Sequence, residues 1–484
     1  MSDLLRRAAW FSTARHEVDV VVVGAGAVGA TIYRELAAAG YRVVVVDQGD
    51  VGSGASQGSA NLIWGGLLYL ARGRVDEVWR WSRERDRLVA DPSAGVGRLP
   101  CSYRIDDARR HPRLVQTALL GYWLLGGAHG QWPRNADGHL EFAEARLLVH
   151  DARWTWNRLA ATPEPNWVAT WCAIEEIHRD GDGWELRLTD RLDGGTTRLH
   201  TRWVINASGA WSAQVDAIAG IDHGWEVVVS RGVSLVVAGR RDRALMVEHP
   251  DERDLLSLVP FPQADAAIWG STETLVASPE AGMQPEVGEI ARLLALHHRL
   301  IGPLERDQLL GLRCGVRALA VRRGTAPRRS QDLTRSFRIL GRDDGWITIL
   351  GGKLTGAAAV AREVLHRVAR RLGARPSPVL PQRMEPPGMR FPGTSFIVPD
   401  PAWCRDHEQC WTLACWLRRR TPIAQVIPRG GLGLHDEYRP LLADIANRIM
   451  GDAGPAALVA YASTVEADEE RIQRAFELAA KETP

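Results

Sequence analysis

Gly24-Ala25-Gly26-Ala27-Val28-Gly29 sets three glycines at the spacing that lets a backbone close on a phosphate. The first permits a tight turn, the second lets the chain approach a pyrophosphate, and the third lets a helix pack closely on a strand. Free N–H groups and the positive helix end then face the anion. Asp47 stands about 20 residues on, where a carboxylate accepts hydrogen bonds from a ribose. Gly351-Gly352-Lys353 offers further backbone donors beside a cation, which suits an anion or negative charge that develops during a reaction. Arg317 follows Gly315-Val316 in an apolar setting, and a buried guanidinium needs an anionic partner. That partner is either a substrate acid or phosphate, or a structural carboxylate. The glycine motif alone does not separate one dinucleotide from another.

The elements around these residues agree with the motif. Asp19 to Val23 is a β-branched apolar run that reads as a buried parallel strand. Ala27 to Ala39 is helical and stops at Gly40, and Tyr41 to Asp47 is a second buried strand, so the segment forms a right-handed βαβ unit. A small-residue loop, Gly49 to Ala60, leads to a helix over about Val75 to Val89. Glu141 to Leu159 reads as helix. Trp184 to Leu188, Thr196 to His200 and Trp203 to Ala207 read as strands, with Asp193-Gly194-Gly195 turning a hairpin. Strands are expected at 225–237, 244–248, 255–260 and 266–270, then a helix from Glu286 to Gly302. Strands Phe337 to Leu340 and Trp346 to Leu350 precede a helix over Leu354 to Arg371. Six prolines between Gly373 and Gly393 mark a linker, and 400–480 reads as helices.

Bulk properties exclude several functions. At 484 residues the chain is long enough for two or three domains. Sixty basic side chains are nearly matched by 58 acidic ones, so nothing favours a nucleic-acid partner. The local clusters Arg322-Arg323 with Arg328-Arg329, and Arg418 to Arg420, read as a solvated loop and a solvated helix face. Cysteines 101, 172, 314, 404, 410 and 415 make no CxxC pair, which argues against zinc or dithiol chemistry and for buried thiols in a reducing compartment. The N-terminal stretch lacks a continuous apolar core, and no run reaches the ~18 residues that span a bilayer, so a cytoplasmic protein is expected. The apolar patch Leu114 to Gly127 reads as a buried helix or, alternatively, as a segment lying on a membrane surface. Most of the 19 tryptophans are expected to fill cores and domain interfaces.

Four segments in order carry a resemblance to a known family. Ser56 to Leu70 (SQGSANLIWGGLLYL) looks like a flavin-contacting serine-rich loop with its following Gly-Gly segment. Val204 to Trp211 (VINASGAW) is similar to a strand that returns to the cofactor phosphates. Cys314 to Leu319 is similar to a Gly-Val-Arg-Pro-Leu element, and Leu350-Gly351-Gly352-Lys353-Leu354-Thr355 matches a Gly-Gly-Lys-Leu-Thr element at the flavin ring. Leu417 to Thr421 looks like the arginine-rich start of a helical cap. Together they resemble the FAD-dependent glycerol-3-phosphate dehydrogenases, within the D-amino-acid-oxidase-like flavoproteins. The resemblance implies an α/β fold: a Rossmann-type FAD-binding domain, an antiparallel-sheet substrate domain and a C-terminal helical domain. The expected division gives 17–98, 141–215 and 313–372 to the FAD-binding domain. It gives 99–140 to a cap segment, 216–312 to the β-rich substrate domain, 373–399 to the linker and 400–484 to the helical domain.

The resemblance assigns FAD contacts to Gly24, Gly26, Gly29, Asp47, Gln48, Ser56, Ser59, Asn61, Leu62, Gly65, Gly209, Gly352, Lys353, Leu354 and Thr355. Arg317 and Lys353 are expected to hold substrate over the flavin. Tyr69, His249 and Glu273 are the groups in plausible segments for taking a hydroxyl proton. The chain also departs from the family. Trp64 and Leu68 replace a histidine and an arginine of Ile-His-Gly-Gly-Leu-Arg-Tyr, and Ser234 replaces a further histidine. Ser330-Gln331-Asp332 stands where a second phosphate-binding arginine is expected. FAD is expected to be non-covalent, since Trp64 stands where a nucleophilic histidine would be sought. The pocket is thus less cationic, and each lost charge-assisted contact weakens phosphate binding by about 1.5–3 kcal/mol. The expected activity is hydride removal from a hydroxyl-bearing carbon of a small anionic substrate, with quinone or oxygen as electron acceptor and a possible peripheral contact with the inner face of the membrane. The alternatives are an amine or amino-acid oxidase and a non-catalytic FAD protein.

Overall fold

The computed structural model describes residues 2–70, 73–106, 109–126, 132–160, 166–252, 254–325, 333, 336–342, 344–379 and 385–482. Two sheets organise them. The first runs Arg338–Arg342, Trp346–Leu350, Thr196–Asn206, Arg15–Val23, Val43–Val46, Trp167–Ala169, and four of these five pairings are parallel, the first being antiparallel. Its central strands are valine-rich and buried on both faces, as a parallel sheet requires. Val20, Val22, Val43 and Val45 pack against helices Ala27–Ala38 and Ala357–Leu372 on one face, while Val21, Val23, Val44 and Val46 meet the hairpin Cys172–Asp180/Gly183–Asp190 on the other.

The second sheet has ten strands and is antiparallel except where Ala244–Glu248 pairs with Val96–Arg104. Its long central pair, Trp225–Ala238 with Leu309–Arg322, runs in register from Trp225↔Arg322 to Val237↔Leu309 with one shift near its end. Helix Val287–Leu300 covers one face of this sheet, where Trp269 is fully buried. Helices Pro401–His407, Arg439–Met450 and Gly454–Glu482 build a further core around Trp416, Leu417 and three buried cysteines.

Several sequence expectations give way here. Glu141 to Leu159 is not one helix: His139–Leu147 is a strand, followed by helix Asp151–Leu159. The stretch HLEFAEARL alternates inward and outward residues, and this period of two, paired along Val96–Arg104, outweighs helix propensity. Thr196–Asn206 is one unbroken strand rather than two. The proline-rich stretch holds a small hairpin, Gly388–Arg390 with Ile397–Pro399. Strands Val96–Arg104 and Leu309–Arg322 each run across a boundary drawn from sequence, at 98/99 and 312/313. Helix Pro112–Leu125 buries Val115, Leu119 and Tyr122 yet exposes Leu114 and Leu124, so it is buried on one face only; Gly127 lies outside the described residues. Among the described residues, no helix is long and apolar enough to cross a membrane. All six cysteines are free, and all but Cys314 are buried.

Candidate cofactor and substrate site

A cavity of about 910 Å³ runs from the glycine turn after the first strand to the Gly351–Leu354 turn, walled by both sheets. That size suits a large ligand. Gly24 has φ +102°, and a side chain there would stand 2.7 Å from the Ala207 carbonyl oxygen. Gly29 lies behind the wall, where any Cβ would collide with the Gly24 carbonyl oxygen. Gly26 faces the cavity, with only the Ser56 hydroxyl near the place of a Cβ, at 3.2 Å. Helix Ala27–Ala38 starts here without a side-chain cap; Ser56 Oγ accepts from the Ala27 N–H at 2.8 Å. These are the features of a cradle shaped for phosphate.

Asp47 ends the neighbouring strand at the cavity wall, its carboxylate accepting from the Ala25 N–H (2.7 Å) and the Gly49 N–H (2.9 Å). Burial pushes its carboxyl up to about 6, partly offset by those two N–H donors. Gln48 and Gly209 also line the cavity. Ser59 does so too, and its N–H and hydroxyl both donate to Asp151 at 3.0 Å. Asn61 and Leu62 stand behind the wall instead: Asn61 Oδ1 caps the Asp151 N–H at 3.0 Å, and Leu62 pairs with Arg146 in the second sheet. Gly65 is likewise set back, its N–H donating to Glu144 at 3.3 Å among Arg85 and Tyr122.

At the far end, Gly352, Lys353 and Leu354 line the cavity, whereas Thr355 turns away and donates to the Trp64 carbonyl at 3.1 Å. That bond joins the Gly351–Leu354 turn to the Trp64-Gly65 segment. Lys353 Nζ lies 4.2 Å from the Tyr69 ring centre and 5.8 Å from that of Trp81. Arg317 reaches the same cavity from strand Leu309–Arg322. It donates to Ser271 Oγ (2.8 Å) and to the carbonyls of Thr272 (3.2 Å) and Arg231 (3.3 Å). Its guanidinium occupies the space that a side chain at position 232 would take, so Gly232 lets it lie there.

None of the three expected bases, Tyr69, His249 and Glu273, lines this cavity. His249 and Glu273 line a separate small pocket with Arg292, and His249 Nδ1 accepts from the Asp251 and Glu252 N–H groups. Burial lowers the His249 pKa. Tyr69 is buried beneath Lys353. Ser234 is buried on strand Trp225–Ala238 opposite Gly270. The side chain of Leu68, together with Ser330, Gln331, Asp332, Arg328 and Arg329, lies outside the described residues.

The supports of the loop over 53–59 leave no local signal in the sequence, since they come from distant segments. Arg313 donates to Asp151 and to the carbonyls of Gln57 and Ser59, and Trp211 Nε1 donates to Glu280 across the cavity mouth at 2.6 Å. Arg418 to Arg420 are not a solvated face. Arg419 and Arg420 grip the fully buried Asp50; burial raises that carboxyl, but the two guanidiniums more than offset it and leave it at about 2. The pairing of Asp50 with cations some 370 residues away left no local signal.

Comparison with known proteins fits this geometry. Residues 19–367 match the family described as FAD dependent oxidoreductase. A protein of Mycobacterium leprae (strain TN) named glycerol-3-phosphate dehydrogenase is 27% identical over 410 residues, which cover 78% of this chain and 68% of that one. The solved glycerol-3-phosphate dehydrogenase from Bacillus halodurans complexed with FAD superposes with a TM-score of 0.59 at 20% identity, covering 99% of this chain and 84% of that one. Glycine oxidase from Geobacillus kaustophilus shares the fold at a TM-score of 0.53 and 18% identity, covering 73% of this chain and 95% of that one. With its phosphate cradle, its buried Asp47 and a family match over most of its length, the chain belongs to the FAD-dependent oxidoreductases and takes FAD as its cofactor.

Proposed function

We propose that the protein oxidises a hydroxyl-bearing carbon of a small anionic substrate. Arg317 and Lys353, which both line the cavity, carry this reading. Gly24, Gly26 and Gly209 would hold the pyrophosphate of FAD, Asp47 a ribose, and Gly352 to Leu354 the ring. FAD bound there supplies a two-electron acceptor that takes up hydride. Arg317, fixed by Ser271 and Thr272 over Gly232, would bind the anionic group and orient the substrate. Lys353 would place positive charge where negative charge develops. Among the described residues, no histidine lines the cavity.

Trp64 and Leu68 replace two cationic or titratable family residues, which favours a substrate with one anionic group and a larger apolar part than glycerol 3-phosphate. Glycerol-3-phosphate dehydrogenase as the name of a relative supports alcohol chemistry. Electrons would leave to quinone or oxygen, and the exposed Leu114 and Leu124 give a membrane surface a place to meet the protein. The test is steady-state kinetics on anionic alcohols and their uncharged counterparts. Arg317→Ala should raise KM for the anionic member by about 30-fold or more, the cost of a charge that loses its partner, and leave the uncharged member unchanged. Equal effects on both would refute the assignment.

A further inference from the structure

We propose that the buried junction between strand Leu309–Arg322 and the helical turns Trp416–Arg420 and Ile423–Val426 binds a small inorganic anion. Arg313, Arg418 and Gln425 form the site, separated from the cofactor cavity by the loop over residues 55–58. Arg313 and Gln425 are each only 1% exposed. Arg313 Nη1 donates to Gln425 Oε1, which fixes the carboxamide beside the guanidinium. The Nη2 groups of Arg313 and Arg418 donate to one shared acceptor, the Gln57 carbonyl, at 3.1 and 3.0 Å. Two like charges are thereby held side by side.

The charges nearby do not balance. Arg153 and Arg420 face Glu408, Arg419 and Arg420 grip Asp50, and Arg313 pairs with Asp151. With Arg418 beside them, five guanidiniums meet these three carboxylates. Arg418 is the one with no carboxylate at ion-pair distance among the described residues. Burial and the neighbouring Arg313 push its guanidinium down to about 9, a direction that an adjacent anion reverses. His150 adds no charge, because burial and the surrounding arginines hold it neutral. Tyr461 donates to the Gly430 carbonyl, and Asp468 is engaged by Arg471, so neither answers the excess.

The donors left over point to the same ligand. Arg418 Nη1, Arg313 Nε and Gln425 Nε2 are buried and have no hydrogen-bond partner among the described residues. Three nitrogen donors beside surplus positive charge, with the Gln425 oxygen already used, match an acceptor that carries negative charge. A neutral water would satisfy the donors but leave the charge uncompensated. A bound anion would tie the cofactor loop at Gln57 to the C-terminal helices.

Bromide is the probe. In crystals of the FAD-loaded protein grown from bromide, anomalous density should stand between Arg418 Nη1 and Gln425 Nε2. In solution, the melting temperature in sodium bromide should exceed that in sodium gluconate of equal ionic strength. A rise of about 1–3 °C is expected at ten times the apparent dissociation constant. Arg418→Met removes the surplus cation, and Gln425→Glu supplies the negative charge internally, so each should abolish the difference. If Arg418→Met fails to fold, Gln425→Glu gives the same reading. Absence of bromide density at the junction, or a bromide effect that the variants retain in full, overturns the proposal.

Discussion

Two alanine substitutions in the glycine turn separate cofactor binding from fold stability. At Gly26 a methyl meets only the Ser56 hydroxyl, at 3.2 Å, which a small rotation relieves. Its cost to stability is under about 1 kcal/mol, in line with mild overpacking. The methyl nevertheless projects into the cavity where the chain must approach a pyrophosphate. An intrusion of that kind costs about 1–3 kcal/mol, or roughly 5- to 150-fold in Kd for FAD. At Gly29 the obstacle is the Gly24 carbonyl oxygen, which is backbone and cannot rotate aside, so the helix has to retreat by ~1 Å. Alanine in place of glycine inside a helix ordinarily stabilises by about 1 kcal/mol, so a loss here has the opposite sign and reports the collision. Titration of the apoprotein with FAD, paired with melting curves of the apoprotein, reads both quantities. Gly26→Ala should melt close to the parent and bind FAD weakly; Gly29→Ala should be impaired in both. A Gly26→Ala protein with parental affinity would refute the placement of the phosphates.

Other predictions address charge. Lys353→Met should lower kcat by about 100-fold with a smaller change in KM, as befits a cation that acts where charge develops, and stopped-flow flavin reduction checks it. The Asp50 carboxyl lies below its ordinary range, so its contribution is present above pH ~4 and lost as pH falls toward 2. The loss of about 2 kcal/mol should appear in acid-dependent melting curves and vanish in Asp50→Asn. Asp47 runs the other way: with its carboxyl at about 6, apoprotein stability should fall as pH rises from ~4 to ~6 and the buried group ionises. FAD affinity should climb over the same interval as the carboxylate gains acceptor strength, and Asp47→Asn should flatten both curves.

The parts legible in the sequence are those whose pattern is local. VDVVVV, the glycines and YRVVVVD specify strand, turn, helix and strand within some thirty residues, and the structure places Gly24, Gly26 and Asp47 around one cavity. The strands at 225–237, 244–248, 255–260 and 266–270 are equally plain, because apolar and β-branched residues dominate each. What stayed hidden depends on distant partners. His139–Leu147 shows its strand period only against Val96–Arg104, and Arg317 gains its position from Gly232 on the neighbouring strand and from Ser271 and Thr272 in a connection between strands. Arg418 to Arg420 looked like a surface because their partners, Asp50 and Gln57, lie far away in sequence.

Anaerobic mixing of the FAD-loaded protein with matched pairs of hydroxy acids and amino acids, and with phosphorylated alcohols and amines, separates oxidation at a hydroxyl-bearing carbon from oxidation of an amine. Loss of the flavin's visible absorbance is expected with hydroxyl-bearing anions and none with their amino counterparts. Loss of absorbance with the amines alone would contradict oxidation at a hydroxyl-bearing carbon.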